Sequence, residues 1–345
     1  MRHDPLGEMD HTGAGAAYKL RLKRQMLLWR ALRARHALDR ISDRSAAIGR
    51  NDILLFATMR NEALRLPYFL DHYRALGVTH FLIVANDSTD GTLDLLREAR
   101  DVSVWQTAGS YRDARFGMDW INWLLMRHGS GHWCLTVDAD ELFVYPDHHT
   151  RKLAELTRWL DRTGARAMGA VMLDMYPEGP LSAARYDPGD DPIKALPYFD
   201  ADGYTWEYQP KYRNISIRGG PRKRVFFHHT PEHAPHLHKL PLVRWHWRYA
   251  YVSSMHIALP RKLNTALDIR NSLPSGALLH TKFLDGALDR AAEEQHRGEH
   301  FTHRERYDSY YSGILQDPVL KHSGSRRYTG TDDLLRTGII RRGLW

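Results

Sequence analysis

Residues 133–144 read Trp133-Cys134-Leu135-Thr136-Val137-Asp138-Ala139-Asp140-Glu141-Leu142-Phe143-Val144. One apolar run enters a cluster of three acids and a second apolar run leaves it. A short apolar run of this kind marks a strand buried on both faces of a parallel sheet. Asp138 and Asp140 alternate on an extended segment, so they point to the same side. Two carboxylates that converge repel unless a cation lies between them. Oxygen-only ligands favour Mg²⁺ or Mn²⁺, which take one or two carboxylates plus substrate phosphates. The alternative is a pair of turn or helix-capping aspartates.

Working back toward the N-terminus, the pattern repeats. Ile53-Leu54-Leu55-Phe56-Ala57 reads as a first strand. Glu62 to Leu76 reads as a helix with Leu66, Phe69, Leu70, Tyr73 and Leu76 on one face, ended by Gly77. His80 to Ala85 is a second strand, Thr92 to Ala99 a helix, and Val102 to Trp105 a third strand. Met118 to His128 is a helix before the fourth strand, Trp133 to Val137. Strand and helix alternate at about 25 residues per unit, the signature of βαβ crossovers and a parallel sheet. Ligands of such sheets bind beyond the carboxyl ends of the strands. Polar clusters stand there: Thr58-Met59-Arg60-Asn61-Glu62, Asn86-Asp87-Ser88-Thr89-Asp90-Gly91-Thr92, and Asp138-Ala139-Asp140-Glu141. Neither a dinucleotide fingerprint nor a P-loop is present.

These motifs together resemble the family 2 glycosyltransferases. Met59-Arg60-Asn61-Glu62 with Pro67, Gly77-Val78, the Asn86–Thr92 turn and Val137-Asp138-Ala139-Asp140-Glu141-Leu142-Phe143 carry the likeness. It is nearest to a bacterial branch whose first motif holds Asn-Glu. The likeness is close over residues 51–147 and looser over 210–285. It implies the α/β nucleotide-diphospho-sugar transferase fold called GT-A, with a mostly parallel central sheet flanked by helices. It also implies inverting transfer with Mn²⁺ or Mg²⁺. Residue by residue, it implies Asn61 and Glu62 at the nucleotide end of the first strand and Asp87 at the base or ribose. Asp138 and Asp140 match the Asp-x-Asp triplet, which implies both at the metal with Asp140 the more direct ligand, and Asp138 also at the nucleotide sugar. The turn reads Asn86-Asp87-Ser88 where Asp-Asp-Gly-Ser is usual.

Further candidates lie downstream. Arg222 and Arg224 follow Gly219-Gly220 and offer a diphosphate or acceptor contact, against the alternative of a solvated basic loop. His280, in Leu278-Leu279-His280-Thr281-Lys282, resembles the late histidine that completes a GT-A metal site, with Lys282 available to phosphate. His256 is a second candidate. The run His228, His229, His233, His236, His238 lacks the spacing of a zinc site, and Pro231 and Pro235 break any helix there. Inverting transfer needs a general base. Asp174, Asp202 and Glu207 are the candidates, Glu207 standing between Trp206 and Tyr208.

The rest of the composition bounds these readings. The chain has 345 residues, 43% hydrophobic and 26% charged, ordinary for a globular protein. One cysteine, Cys134, excludes an intramolecular disulfide framework and multi-cysteine metal sites. The net charge is +8, and the nine Lys/Arg and two Asp of residues 18–44 carry +7 of it. Basicity is therefore local, which argues against nucleic acid as a partner. Leu20, Leu27, Ala31, Ala34, Leu38 and Ile41 form one stripe of an expected helix, with Arg21, Arg24, Arg30, Arg33 and Arg40 around it. Two readings stand: a helix packed on the body, or peripheral adhesion to an anionic membrane with Trp29 near the headgroups. No apolar run reaches membrane-spanning length, and residues 1–18 lack the apolar core of a secretory signal. A cytoplasmic protein is expected, at the inner membrane face if the helix adheres.

The expected organisation is a basic helical extension (1–50), a catalytic domain (51–285, divided at 147 and 148 into nucleotide-sugar and acceptor halves) and a C-terminal extension (286–345). Within it, Leu153 to Arg162 reads as a helix, Arg166 to Leu173 and Arg244 to Tyr251 as strands, Tyr176 to Asp202 as an irregular excursion, and Thr281 to Gly298 as a helix. The expected partners are a nucleotide-diphosphate sugar and a glycan, lipid-linked or small acceptor. The rivals are a nucleotidyltransferase on a related fold and a non-catalytic carbohydrate-binding or membrane-docking protein.

Overall fold

The computed structural model describes residues 13–268, 270–297 and 304–345. Its strands are β1 (Asp39–Ser42), β2 (Ile53–Met59), β3 (His80–Asn86), β4 (Val102–Thr107), β5 (Trp133–Thr136), β6 (Glu141–Val144), β7 (Ala167–Asp174), β8 (Tyr198–Asp200), β9 (Thr205–Gln209), β10 (Asn214–Arg218), β11 (His238–Arg244), β12 (Ala250–Ser253), β13 (Ile257–Leu259), β14 (Gly276–His280) and β15 (Ser325–Arg327). Its helices are α1 (Ala14–Ala34), α2 (Leu66–Leu76), α3 (Thr92–Glu98), α4 (Met118–Leu124), α5 (Leu153–Arg162), α6 (Pro192–Ala195), α7 (Ala287–Arg297), α8 (Arg304–Leu315) and α9 (Thr331–Arg336).

Among the described residues one sheet has nine strands, in the order β1-β4-β3-β2-β5-β11-β7-β14-β6. Strands β2, β3, β4, β5, β7 and β14 run in one direction, and β1, β6 and β11 run against them. This is a mixed α/β fold with a large, mostly parallel central sheet flanked by helices. Side chains alternate between its two faces. Ile53, Leu55, Ala57 and Met59 of β2 join a core with α2 and α5. Leu54 and Phe56 join a second core with α4. Burial on both sides is why these strands read as unbroken apolar runs. Helix α2 buries the five apolar residues expected of it and ends at Gly77, whose φ of 102° suits glycine.

The polarity of the sheet places the site. All six co-directional strands present their carboxyl ends at one edge, and β6 and β11 begin there. Residues 58–62, 86–92, 138–141, Asp174, Lys239 and His280 are thereby gathered.

The structure corrects several local readings. The basic helix stops at Ala34 and does not run to Ile41. Leu38 and Ile41 pack into cores on opposite faces of the sheet, which one helical stripe cannot reach, and Asp39–Ser42 is an edge strand paired with β4. Residues 245–249 form a turn: Trp245 is buried while Trp247 is exposed, and the amide of Tyr249 donates to His246. Helix α4 ends at Leu124 in a wider turn through Gly129. The helix expected from Thr281 begins at Ala287, and Gly298 lies outside the described residues. The strand β11 was not anticipated.

Both terminal segments pack on the body. Helix α1 lays Leu20 and Leu27 on Ala250 and Leu259. Tyr310, Ile314, Leu334 and Ile340 share a core with Leu142, Val144 and Leu173, and β15 pairs with β8. No helix among the described residues is long and apolar enough to cross a membrane.

Candidate active site

At the carboxyl edge of the sheet, His280 ends β14 beside the Asp140 loop. Its Nε2 lies 3.1 Å from Asp140 Oδ2, and its Nδ1 lies 2.6 Å from Asp174 Oδ1 at the end of β7. Asp174 also accepts from Arg222 Nε at 2.8 Å. The backbone is clamped as well: Thr281 donates from its amide (2.7 Å) and its hydroxyl (3.0 Å) to the Asp140 carbonyl. Burial disfavours charge on every member of this line, yet the partners prevail. His280, Arg65 and Lys282 hold the Asp140 carboxyl well below the usual range. Arg222 and His280 hold Asp174 down. Asp140 and Asp174 raise the His280 imidazole.

A second buried ionic group supports the same loop. Lys239, at the start of β11, reaches Asp138 Oδ2 (2.9 Å) and Glu141 Oε1 (3.0 Å). Burial disfavours its ammonium, but the two carboxylates raise its pKa overall. The Asp138 amide donates to Glu141 Oε2, which closes the turn. Lys239 is invisible to motif reading. Its only signal is a lone cation in the apolar stretch Leu237 to Val243.

The first two strand-end loops brace each other. The Asn61 amide donates to Ser88 Oγ, and Asn61 Oδ1 accepts from the Thr89 amide. Asn61 and Asp87 both hold positive φ, 51° each. The Glu62 amide donates to Thr92 Oγ1, and its carboxylate accepts from Arg65 at 2.8 Å. Burial raises the Glu62 carboxyl despite Arg65. Asp87 is well exposed, with Arg60 3.8 Å away.

Two adjoining cavities open over this edge. One is lined by Thr58, Arg60, Asn86, Tyr111, Asp138, Asp140 and His280, the other by Asn61, Arg65, Phe283, Arg290, Glu293 and Tyr311; Arg60, Glu62, Asp140 and Lys282 line both. The cations Arg60, Arg65, Lys282 and Arg290 thus surround a space that also holds the Asp140 carboxylate. Such a set suits a polyanionic ligand. Arg65 and Arg290 carried no recognisable motif.

The remaining candidates lie elsewhere. Arg222 donates to Asp174, and Arg224 is bound to Asp200 by two 3.0 Å hydrogen bonds. Neither lines the cavities. Asp174 is buried behind His280. Asp202 lines a separate cavity with Trp206 and Arg341. Glu207 is exposed on the β9–β10 hairpin. His256 donates toward the His238 carbonyl, and its ring stands beside His236 and His238, away from Asp140.

Among the described residues no group of three or more His, Cys, Asp or Glu side chains forms a metal cage. Asp140 and His280 line one cavity with Asp140 Oδ2 and His280 Nε2 3.1 Å apart, and the second nitrogen of His280 is held by the Asp174 carboxylate; Asp138, expected as a further ligand, is bound to Lys239 instead. A carboxylate behind a ligating histidine is the usual outer support of a metal site. This set fits a hard divalent cation that fills its other positions with phosphate oxygens and water.

No family model matches the chain, and no curated protein matches it. Among solved structures, a crystal structure of 4-diphosphocytidyl-2C-methyl-D-erythritol synthase aligns over 84% of this chain and 99% of that chain, at 11% identity and a TM-score of 0.24. A likeness at that score carries no argument about this chain.

Proposed function

We propose that this chain is a metal-dependent inverting glycosyltransferase, similar to family 2, that moves a sugar from a nucleoside diphosphate sugar to a hydroxyl of a glycan, lipid-linked or small acceptor. The observation that carries the reading is the meeting of His280 with Asp140 at the carboxyl edge of the sheet, facing a cavity ringed by cations. Asp140 and His280 would hold Mn²⁺ or Mg²⁺, which when bound neutralises charge on the leaving diphosphate.

The chain's own residues do the rest. Arg60, Arg65 and Lys282 bind the diphosphate and offset the charge that grows as the glycosidic bond breaks. The acceptor oxygen attacks the anomeric carbon from the face opposite the leaving group, so configuration inverts. Its proton passes to a carboxyl lining the cavities. Asp140 is reserved for the cation, so the base comes from Glu62, Asp138 and Glu293. Asp202 and Glu207 lie outside both cavities.

The test is product analysis with a panel of nucleotide sugars, with and without Mn²⁺. Metal-dependent release of nucleoside diphosphate supports the proposal. Release of pyrophosphate from a nucleoside triphosphate and a sugar phosphate would establish the nucleotidyltransferase instead. Binding without turnover of either kind would leave a non-catalytic binding protein.

A further inference from the structure

Helix α1 has two apolar faces. Leu20, Leu27 and Ala31 are buried against the body. Tyr18, Leu22, Met26, Trp29 and Leu32 remain 60%, 45%, 52%, 55% and 39% exposed. At ~100° per residue these five fall within an arc of roughly 120° opposite the buried face. Five of the eleven large apolar side chains left exposed among the described residues therefore lie on one helix, on one side of it.

The charges around that arc have one sign. Ala14–Ala34 holds six Lys and Arg and no acid. Arg30 is bound to Asp119, and Lys23 donates to Tyr212. Lys19 and Arg21, both exposed, border the apolar arc. Arg33 lies within it, its guanidinium 4.6 Å from the Trp29 ring. An apolar strip with an interfacial Trp and a basic margin is the pattern of a helix lying in the plane of a membrane surface.

We infer that α1 docks the protein on an anionic lipid bilayer through Tyr18, Leu22, Met26, Trp29 and Leu32, with Lys19, Arg21 and Arg33 at the headgroups. The two readings of this helix are then not alternatives: one face packs and the other docks. A second copy is a poor occupant, because pairing two such faces brings like charges together along both margins. The inference does not rest on the proposed chemistry. It places the face beside the site, since α1 packs on α4 and the cavity between them is lined by Ser110, next to Tyr111 of the catalytic cavity.

The test is sedimentation of the full chain with vesicles of phosphatidylcholine alone and of phosphatidylcholine with 30% phosphatidylglycerol, at about 50 and 300 mM salt. The expected result is binding to the anionic vesicles that falls at least tenfold at the higher salt. The triple variant Leu22→Gln, Met26→Gln, Trp29→Gln should bind at least tenfold more weakly with an unchanged melting temperature, because all three side chains are exposed. Lys19→Gln with Arg21→Gln should lower binding to anionic vesicles only. Failure of the full chain to sediment with anionic vesicles at low salt overturns the inference, as does a triple variant that binds like the parent. Concentration-dependent dimerisation that the triple variant abolishes, without vesicle binding, would assign the face to a second copy.

Discussion

His280 Nε2 and Asp140 Oδ2 stand 3.1 Å apart although 140 residues separate them in the chain. The contact is produced by topology. Strand β14 runs parallel to β7 and antiparallel to β6, with His280 opposite both Asp174 and Glu141. The late histidine is thereby delivered to the acidic loop at the edge where a parallel sheet binds ligands.

Asp140→Asn removes the charged donor of this pair. Turnover of a nucleotide sugar should fall by on the order of 10²-fold or more. The stabilisation of the melting temperature by Mn²⁺ with nucleoside diphosphate should vanish with it. The fold should survive, because Asp140 sits in a loop that Thr281 holds through the backbone carbonyl. Near-parental turnover would remove Asp140 from the metal site.

In the proposed site Asp174 would be a positioning residue, since it lines neither cavity and touches the site through His280. Asp174→Asn leaves both proposed metal donors in place but loosens the His280 ring and removes the carboxylate facing buried Arg222. Mn²⁺ affinity should drop about 10- to 100-fold, the usual loss for an outer-shell partner. Isothermal titration with Mn²⁺ and nucleoside diphosphate reads this directly. A purely structural role would lower stability and leave that affinity unchanged.

Lys239→Met strips the shared cation from Asp138 and Glu141. The Glu141 side chain is fully buried, and an unpaired buried charge costs about 3–5 kcal/mol. Urea denaturation should show a loss of that size. Adding Glu141→Gln to Lys239→Met should recover part of it, because the orphaned charge is then gone. If the single variant is as stable as the parent, the buried pair contributes nothing to this loop.

Much of this was legible in the sequence, and the physical reason is periodicity. Buried parallel strands leave unbroken apolar runs, so β2, β3, β4 and β5 were readable, as were the carboxylates at their ends. Strand β11 was hidden because His238-Lys239-Leu240-Pro241 interrupts its apolar run with a charge, and that charge is the support of the acidic loop. Arg222 was legible as a cation near the site but not as a partner of Asp174, since no spacing rule links residues 48 apart. Glu207 stands between Trp206 and Tyr208 in the sequence and Asp202 is one acid among many, and the chain turns both toward other surfaces. The basic helix was legible as amphipathic, but its second apolar face emerged only when burial divided the apolar residues into two sets.

The pH dependence of stability follows from histidines that stay neutral inside the fold. Burial lowers His72, His128 and His236 to about 4 and His148 and His238 to about 3, lowers His80, and holds His256 well below its ordinary value. In the unfolded chain each takes its proton near pH ~6.5. Between that value and the depressed native one, the unfolded state binds more protons, so stability falls as pH falls through the window. His280 acts in the opposite sense: its pKa is raised, so its contribution is complete below the unfolded value and is lost as pH rises through the native one. Seven against one among the described residues, the urea midpoint should decline steadily from pH 7 to pH 4.5. The limiting slope is about 1.4 kcal/mol per pH unit for each neutral histidine. His238→Gln tests the assignment, because an amide oxygen can still accept the 3.2 Å hydrogen bond from Asn214 but takes up no proton. The variant should show a shallower decline by about one such increment. An unchanged slope would mean that His238 is already charged in the folded protein.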